Sequence, residues 1–288
     1  MVKVVCVVPT YRPQFGPLMD IVSSATAQNL TVLISDDGSP ATADPVLRSC
    51  AHAGAVVVRH ARNAGIARGL NDGLLFAVRL GVPWLLTMDQ DSTLPPSLTA
   101  DLLRTAERGR DIGVVGVETM RDVTGDLAYP TSCQDGLQIT EEVFQSGSLW
   151  SVSALAALGG FDARLGIDAV DAAACLALRQ AGFKVVLAPG TWMEHRYGDG
   201  RRLQVLGRSV VATGHSPQRR ESMVRNRLAL APAEFRQSPR HALRTLRRVG
   251  VNLLLAATVE EDRLTKVAGG LRGLLPRRDG GQRPPTTR

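Results

Sequence analysis

Four short apolar runs, each closed by a polar cluster, do most to limit what this chain can fold into. They are Val2 to Val8, Thr31 to Ser35, Ala55 to Arg59 and Trp84 to Met88. Helical segments lie between them, near Gly16 to Ala27, Pro45 to Ala53 and Ile66 to Leu80. Runs this apolar suit strands buried on both faces, and their alternation with helices predicts βαβ units and a parallel sheet. Ligands of such sheets sit beyond the carboxyl ends of the strands. The polar punctuation falls there: Thr10 and Tyr11 after the first run, Asp36 and Asp37 after the second, Asn63 and Gly65 after the third, Asp89 and Asp91 after the fourth.

The fourth run stops abruptly in Asp89-Gln90-Asp91-Ser92. A side-chain period of two sets Asp89 and Asp91 on one side of an extended backbone. Carboxylates that close repel unless a cation lies between them, and hard ions such as Mg²⁺ or Mn²⁺ take oxygen ligands and bridge to phosphates. Asp and Ser also favour plain turns, so the pair alone is ambiguous. Its convergence with three other polar strand ends gives it weight.

Beyond Pro95 the pattern predicts a helix to about Arg108, a strand from Ile112 to Val117 and an irregular polar stretch over 118–143. A strand-like Phe144 to Trp150 follows, then helices from Ser153 to Leu158 and Asp168 to Ala181, and a strand from Lys184 to Ala188. From about Gln218 the chain reads as helical and basic, with Val251 to Lys266 as one amphipathic helix and 279–288 as a disordered Pro/Gly/Arg tail. Charge divides at the same place. Residues 1–195 hold 14 Lys/Arg against 20 Asp/Glu, whereas residues 196–288 hold 20 against 7. A basic C-terminal third points to an anionic partner. Nucleic acid is disfavoured, because aromatics are 4% of the chain and no stacking platform interleaves with the arginines. Cys6, Cys50, Cys133 and Cys175 form no C-x-x-C pair, so a reducing compartment is expected. No run has the apolar length of a spanning helix, and the expectation is a soluble or surface-bound cytoplasmic protein.

Further motifs extend the strand-end series. In order stand Pro9-Thr10-Tyr11, Asp36-Asp37-Gly38-Ser39, Asn63 through Asn71, Asp89-Gln90-Asp91-Ser92, and Ser146-Gly147-Ser148-Leu149. Gly160-Phe161-Asp162 through Ile167-Asp168-Ala169-Val170-Asp171 follows, then His195 and Arg225-Asn226. With these pieces, over roughly residues 3–230, the chain resembles nucleotide-sugar glycosyltransferases of the GT-A, family 2 type. The D-Q-D-S and I-D-x-V-D forms are similar to those of its rhamnosyltransferase branch. The resemblance implies an α/β fold: a Rossmann-like, mostly parallel central sheet flanked by helices, with a helical C-terminal extension. It implies a glycosyltransferase domain over 1–215 (nucleotide-binding half 1–92, acceptor half 93–215), a basic helical region 216–278 and the tail 279–288.

The resemblance also implies roles. Thr10, Tyr11 and Asp36 match positions that hold the nucleotide base and ribose; Asp37 is either a ligand contact or a turn former. Asn63, Gly65, Arg68 and Asn71 match a donor-binding turn, where Gly65 allows close backbone approach and Arg68 can pair with phosphate. Asp91, and less directly Asp89, would hold Mg²⁺ or Mn²⁺, with His195 completing the set. Asp171 matches the general base and also suits an N-cap role; Asp168 is the weaker candidate. Ser146, Gly147, Ser148, Asp168, Arg225 and Asn226 fall on the acceptor side.

Two departures from the family pattern lie on that side. Ala173 and Ala174 replace a carboxylate and an aromatic after the base, and Ser222 and Met223 replace paired tyrosines. The resulting expectation is an inverting, metal-dependent transferase using dTDP-L-rhamnose on a glycan or lipid-linked acceptor, docked at the inner membrane face by its basic helices. The alternatives are a UDP-sugar donor (galactofuranose, glucose or N-acetylglucosamine) and a non-catalytic nucleotide-sugar-binding protein. The sequence leaves the oligomeric state open.

Overall fold

The structure is a computed structural model that describes residues 4–122, 125–194, 201–205, 208–212 and 214–275. His195 and the tail 279–288, both singled out above, lie outside the described residues. The first half runs β1 (Val4–Thr10), α1 (Phe15–Ala27), β2 (Thr31–Asp36), α2 (Asp44–His52), β3 (Val56–Arg59), α3 (Ile66–Leu80) and β4 (Trp84–Thr87). Next come α4 (Leu98–Ala106), β5 (Ile112–Asp122), β6 (Gly125–Leu127), β7 (Thr131–Gln134), β8 (Leu137–Thr140) and β9 (Ser148–Ser151). After α5 (Val152–Ala157) and α6 (Val170–Gln180) stand β10 (Lys184–Glu194), β11 (Arg201–Val205) and β12 (Arg208–Ala212). The chain then turns helical in α7 (Pro217–Gln237), α8 (Pro239–Thr258) and α9 (Arg263–Arg272).

The main sheet has the order β3-β2-β1-β4-β9-β5-β10-β8-β7, with β6 on β5. β3, β2, β1 and β4 pair in parallel, as do β5 and β10; β9 runs antiparallel between β4 and β5. Every residue of β1 is buried, as its unbroken apolar run requires of a central strand. One face of the sheet is covered by α1, α2 and α4 through Leu18, Ile21, Leu47, Leu98 and Leu102. The other is covered by α3, α5 and α6 through Leu70, Leu74, Leu155, Val170 and Leu178. Each such side chain contributes roughly 1.5–3 kcal/mol on full burial. Helix α3 lies close on β1 because residue 73 is glycine, where a Cβ would stand 2.4 Å from that of Val7.

Two expectations from sequence are corrected. The stretch 118–143 is not irregular: it carries the end of β5 and the strands β6, β7 and β8. β7 and β8 are joined by Asp135-Gly136, both at positive φ, the pairing that matches a hairpin to the strands' own twist. Nor is Val251 to Lys266 one helix. α8 stops at Thr258, and Asp262 enters the left-handed region (φ 54°) before α9. Glu260, in that break, is buried on Arg220 of α7 and on Lys266 of α9 (3.2 Å), an ion pairing that a continuous helix would forgo. α7 in turn packs on α8 and α9. No helix among the described residues is long and apolar enough to cross a membrane.

Candidate active site

β1, β2 and β4 are neighbouring parallel strands that end at the same edge of the sheet, and backbone amides hold the loops beyond them. Asp36 ends β2 fully buried. Its carboxylate accepts from the Ser39 amide (3.1 Å) and hydroxyl, faces Arg59 Nε at 3.3 Å, and lies 3.5 Å from Thr10 Oγ1. Asp37 spends both oxygens on the next loop, accepting from the amides of Ala64 (2.7 Å) and Gly65 (2.8 Å). Gly65 sits at φ 94°, and a Cβ there would lie 2.5 Å from the carbonyl oxygen of Gly166. Only glycine lets this loop touch the segment that leads into α6.

The acidic loop after β4 is held from two sides. Gln90 exchanges hydrogen bonds with the backbone of Tyr11: Tyr11 N donates to Oε1 (3.0 Å) and Nε2 donates to Tyr11 O (3.2 Å). Buried Ser146 accepts from the Asp89 amide and donates to Ser92 Oγ, both at 2.9 Å. Asp89 is thereby half-buried while Asp91 projects to solvent. The carbonyl of Glu194, the residue before His195, accepts from the Thr93 amide (3.3 Å). Among the described residues no three Asp, Glu, His or Cys side chains form a metal cluster. Two carboxylates at a strand end nevertheless suit a hard divalent ion that takes its remaining ligands from a diphosphate.

Helix α6 begins after two consecutive left-handed residues, Asp168 (φ 64°) and Ala169 (φ 59°). Such backbone is costly and persists only where its surroundings impose it. Here the imposing group is buried Asn226 of α7, whose Nδ2 lies 2.8–3.0 Å from the carbonyls of Leu165, Ile167 and Asp168. Asp171 then stands in the first turn of α6, accepting from the Ala172 amide (2.8 Å). Burial pushes its carboxyl up to about 6, against the opposing pull of Arg227, while Glu142 and Asp89 add to the rise. Glu142, in the segment between β8 and β9, is itself buried and bonded to Arg227 Nη1 at 2.8 Å. Burial alone would raise Glu142, yet Arg227, His241 and Arg248 hold it below its ordinary value. The result is a carboxyl raised to about 6 within electrostatic reach of Asp89.

Residues 5–151, from β1 through β9, match the family described as Glycosyl transferase family 2. The chain belongs to this family. A dTDP-rhamnosyl transferase, RfbF of Shigella flexneri, is 26% identical over 242 residues, covering 79% of this chain and 79% of the relative. The fold is similar to that of a mannosyltransferase, PcManGT of Pyrobaculum calidifontis, solved in complex with GDP-Man and Mn²⁺. That pair has a TM-score of 0.58 and 17% identity, over 93% of this chain and 79% of that one. It is also similar to GalNAc-T7 solved with UDP, GalNAc and Mn²⁺, with a TM-score of 0.60 and 13% identity over 81% of this chain and 48% of that one. S. aureus TarS 1–349 gives 0.58 and 12% over 94% and 79%. At these identities the structures establish the shared GT-A fold.

Within that family 2 frame the expected site residues separate into groups. Thr10, Tyr11, Asp36, Asp37, Asp89 and Asp91 stand at or just beyond the ends of β1, β2 and β4, and Gly65 abuts Gly166 in the segment that leads to Asp168 and Asp171. Arg68 and Asn63 are exposed. Asn71 serves as a clip: its side chain exchanges 2.8 Å bonds with the backbone of Phe161. Asn226 and Ser146 are likewise struts rather than open contacts. Gly147, at φ 75°, packs under β4 with its amide on Thr87 O (2.8 Å). Ser148 is turned inward, fully buried with its hydroxyl on the Phe144 carbonyl, so it does not reach an acceptor. Arg225 is drawn into an ion pair with Glu221, which Arg272 of α9 shares. Of the two replaced positions, Ala174 is buried in the core and Ala173 is half-buried. Glu142 and Arg227 escaped the sequence reading. Arg227 stands one place beyond the Arg225-Asn226 motif among many arginines, and only its contact 85 residues away distinguishes it.

Proposed function

We propose that this family 2 chain is an inverting, metal-assisted glycosyltransferase that moves L-rhamnose from dTDP-rhamnose to a hydroxyl of a glycan or lipid-linked precursor. The observation that carries the proposal is Asp171, half-buried in the first turn of α6, raised to about 6 and within electrostatic reach of Asp89 in the acidic loop after β4. The rhamnosyl donor is supported by the 26% identical relative and by the D-Q-D-S and I-D-x-V-D forms.

In the transfer, an acceptor oxygen bonds to the anomeric carbon as the bond from that carbon to the diphosphate breaks. The electron pair leaves with the diphosphate, and the hydroxyl proton passes to the Asp171 carboxylate. Attack opposite the leaving group inverts the centre. Thr10, Asp36 and Tyr11 frame the nucleotide end, and Gly65 seats the neighbouring loop on Gly166. Asp91 and Asp89, with His195 as a further candidate, would hold Mg²⁺ or Mn²⁺, which as a Lewis acid neutralises charge on the departing diphosphate.

The same reading puts the protein against an anionic membrane at the cytoplasmic face. On α8, Leu243 (65% exposed) and Leu254 (62%) share the outer face with Arg240, Arg244 and Arg247, and α9 adds Leu264 (88%). Apolar side chains set among arginines suit the headgroup boundary. Arg244→Glu with Arg247→Glu is expected to shift the protein from anionic-vesicle pellet to supernatant; unchanged partitioning rejects the docking. Removing α8 outright is a poorer test, because buried His241 pairs with Glu234 of α7 at 3.1 Å.

Calorimetric titration of dTDP, UDP, GDP and dTDP-rhamnose with and without Mn²⁺ tests the donor. The expectation is Mn²⁺-dependent binding strongest for the dTDP compounds. Strongest binding of a UDP-sugar reassigns the donor, and no nucleotide binding rejects the transferase reading.

A further inference from the structure

Around Arg227, helices α6, α7 and α8 and the segment between β8 and β9 enclose a charged cluster to which the transfer step assigns no task. His241 of α8 is buried, its Nε2 3.1 Å from Glu234 Oε2 of α7 and 4.0 Å from Glu142 Oε1. Glu234 is buried too, with Oε1 3.8 Å from Arg179 Nη2 of α6, and Arg179 pairs in turn with Glu141. Glu142 takes Arg227 Nη1 at 2.8 Å, and the Arg227 charge also reaches Asp171. Charged neighbours thus follow one another from His241 to the proposed base.

Two observations set this cluster apart. Its charges do not balance: Glu141, Glu142, Glu234 and Asp171 meet two interior arginines, Arg179 and Arg227, with Arg248 exposed at the edge. A buried carboxylate without a matching cation takes up a proton rather than stay charged. His241 Nε2 and Glu234 Oε2, moreover, stand 3.1 Å apart with no hydrogen-bond partner among the described residues. One proton between them satisfies both atoms. We infer that His241 and Glu234 share one buried proton, and that this pair and Asp171 titrate as coupled groups across the Glu142–Arg227 bridge.

Burial favours the uncharged forms. It lifts Glu234 to about 7 against the pull of Arg179 and Arg227, with Glu142 and Glu141 adding to the rise. It lowers His241, where Arg179 and Arg227 act with it and Glu142 and Glu141 against it. While the proton is held, the pair carries no net charge. Its loss puts a negative charge beside Glu142, which competes for Arg227 and makes Asp171 more basic. Ionised Asp171 in turn makes the pair hold its proton more firmly. His241 and Glu234 are therefore positioning residues, acting on the base through Glu142 and Arg227. The inference rests on the reading of Asp171 as that base.

The test follows the full chain, labelled with ¹⁵N at histidine, by NMR from about pH 5 to 9. The His241 ring signals are identified by their loss in His241→Gln. Wild type is expected to show a one-proton transition with its midpoint near 7. Glu234→Gln, of the same shape but with no proton to release in this range, should remove the transition near 7. Asp171→Asn should lower its midpoint by roughly 0.5–1 pH unit, because the charge that held the proton in place is gone. A wild-type signal flat across the range, a transition that persists in Glu234→Gln, or a midpoint unmoved in Asp171→Asn overturns the inference. The first of these outcomes needs no variant to fold. Failure of the base reading is seen separately, as transfer by Asp171→Asn within a few-fold of wild type while the midpoint still shifts.

Discussion

The two walls of the proposed site are built by different physics. On the donor wall, strand ends carry short side chains that lock neighbouring loops through backbone amides: Asp36 on Ser39, Asp37 on Ala64 and Gly65, Gln90 on Tyr11. On the proposed acceptor wall, polar side chains of α7 reach over to the segment before α6 and to Glu142, in Asn226 on three carbonyls and Arg227–Glu142. The first kind of wall depends on local turn chemistry and places ligands by geometry. The second depends on contacts distant in sequence and sets a proton affinity.

Substitutions on the two walls should therefore fail in different ways, and the largest effect is expected on the donor side. Replacing Asp89 and Asp91 together by alanine should lower transfer at least ~10³-fold, as expected when charge stabilisation of a leaving group is lost. Mn²⁺ should then no longer improve dTDP affinity in calorimetry, while melting temperature stays nearly constant, because Asp91 is exposed and Asp89 half-buried. Loss of folding in this variant would blur the division between the walls.

Arg227→Met on the acceptor wall should do the reverse. It leaves buried Glu142 without its principal partner, at a cost of about 3 kcal/mol, the lower end for a broken buried pair because Arg227 is partly exposed. It also changes the pH profile. Asp171 must be ionised to accept a proton, so wild-type kcat/KM should rise with pH through a midpoint near 6. Arg227 opposes the rise in that carboxyl, so its removal should move the midpoint upward. A bound cation at Asp89 would oppose the repulsion from that side and move it downward. A profile flat between pH 5 and 8 would detach Asp171 from the rate.

A smaller effect is expected at Asn226→Ala. Three carbonyls lose their shared donor, which should cost roughly 1–3 kcal/mol in denaturant unfolding. Because those carbonyls hold the left-handed turn before Asp171, kcat should fall while dTDP affinity is retained. Equal losses in both would mean that the two walls are mechanically one.

The same contrast explains what was legible in sequence. The donor half announces itself by alternating apolar runs and polar ends, and α3 begins and ends at Ile66 and Leu80 as its periodicity predicts. The hairpin β7–β8 carried a readable signal, Asp135-Gly136 between short runs, but its strands are brief and β7 is exposed throughout, so no buried face gave them a period. The break between α8 and α9 was hidden, because its cause is the pairing of Glu260 with Arg220, 40 residues away. Arg227 was hidden for the same reason. Within the site, residue type predicted location better than task. Asn71, Ser146 and Asn226 sit near the proposed site, yet as polar residues with both donors and acceptors they serve equally well as clips.

The central claim is that Asp171 takes the acceptor proton from a site that binds donor without it. Single-turnover transfer from pre-bound donor, measured for wild type and Asp171→Asn, tests this directly. The account predicts donor affinity within about twofold and a transfer rate lower by ~10²–10⁴-fold. Transfer within a few-fold of wild type, or collapse of donor binding along with it, would contradict the account.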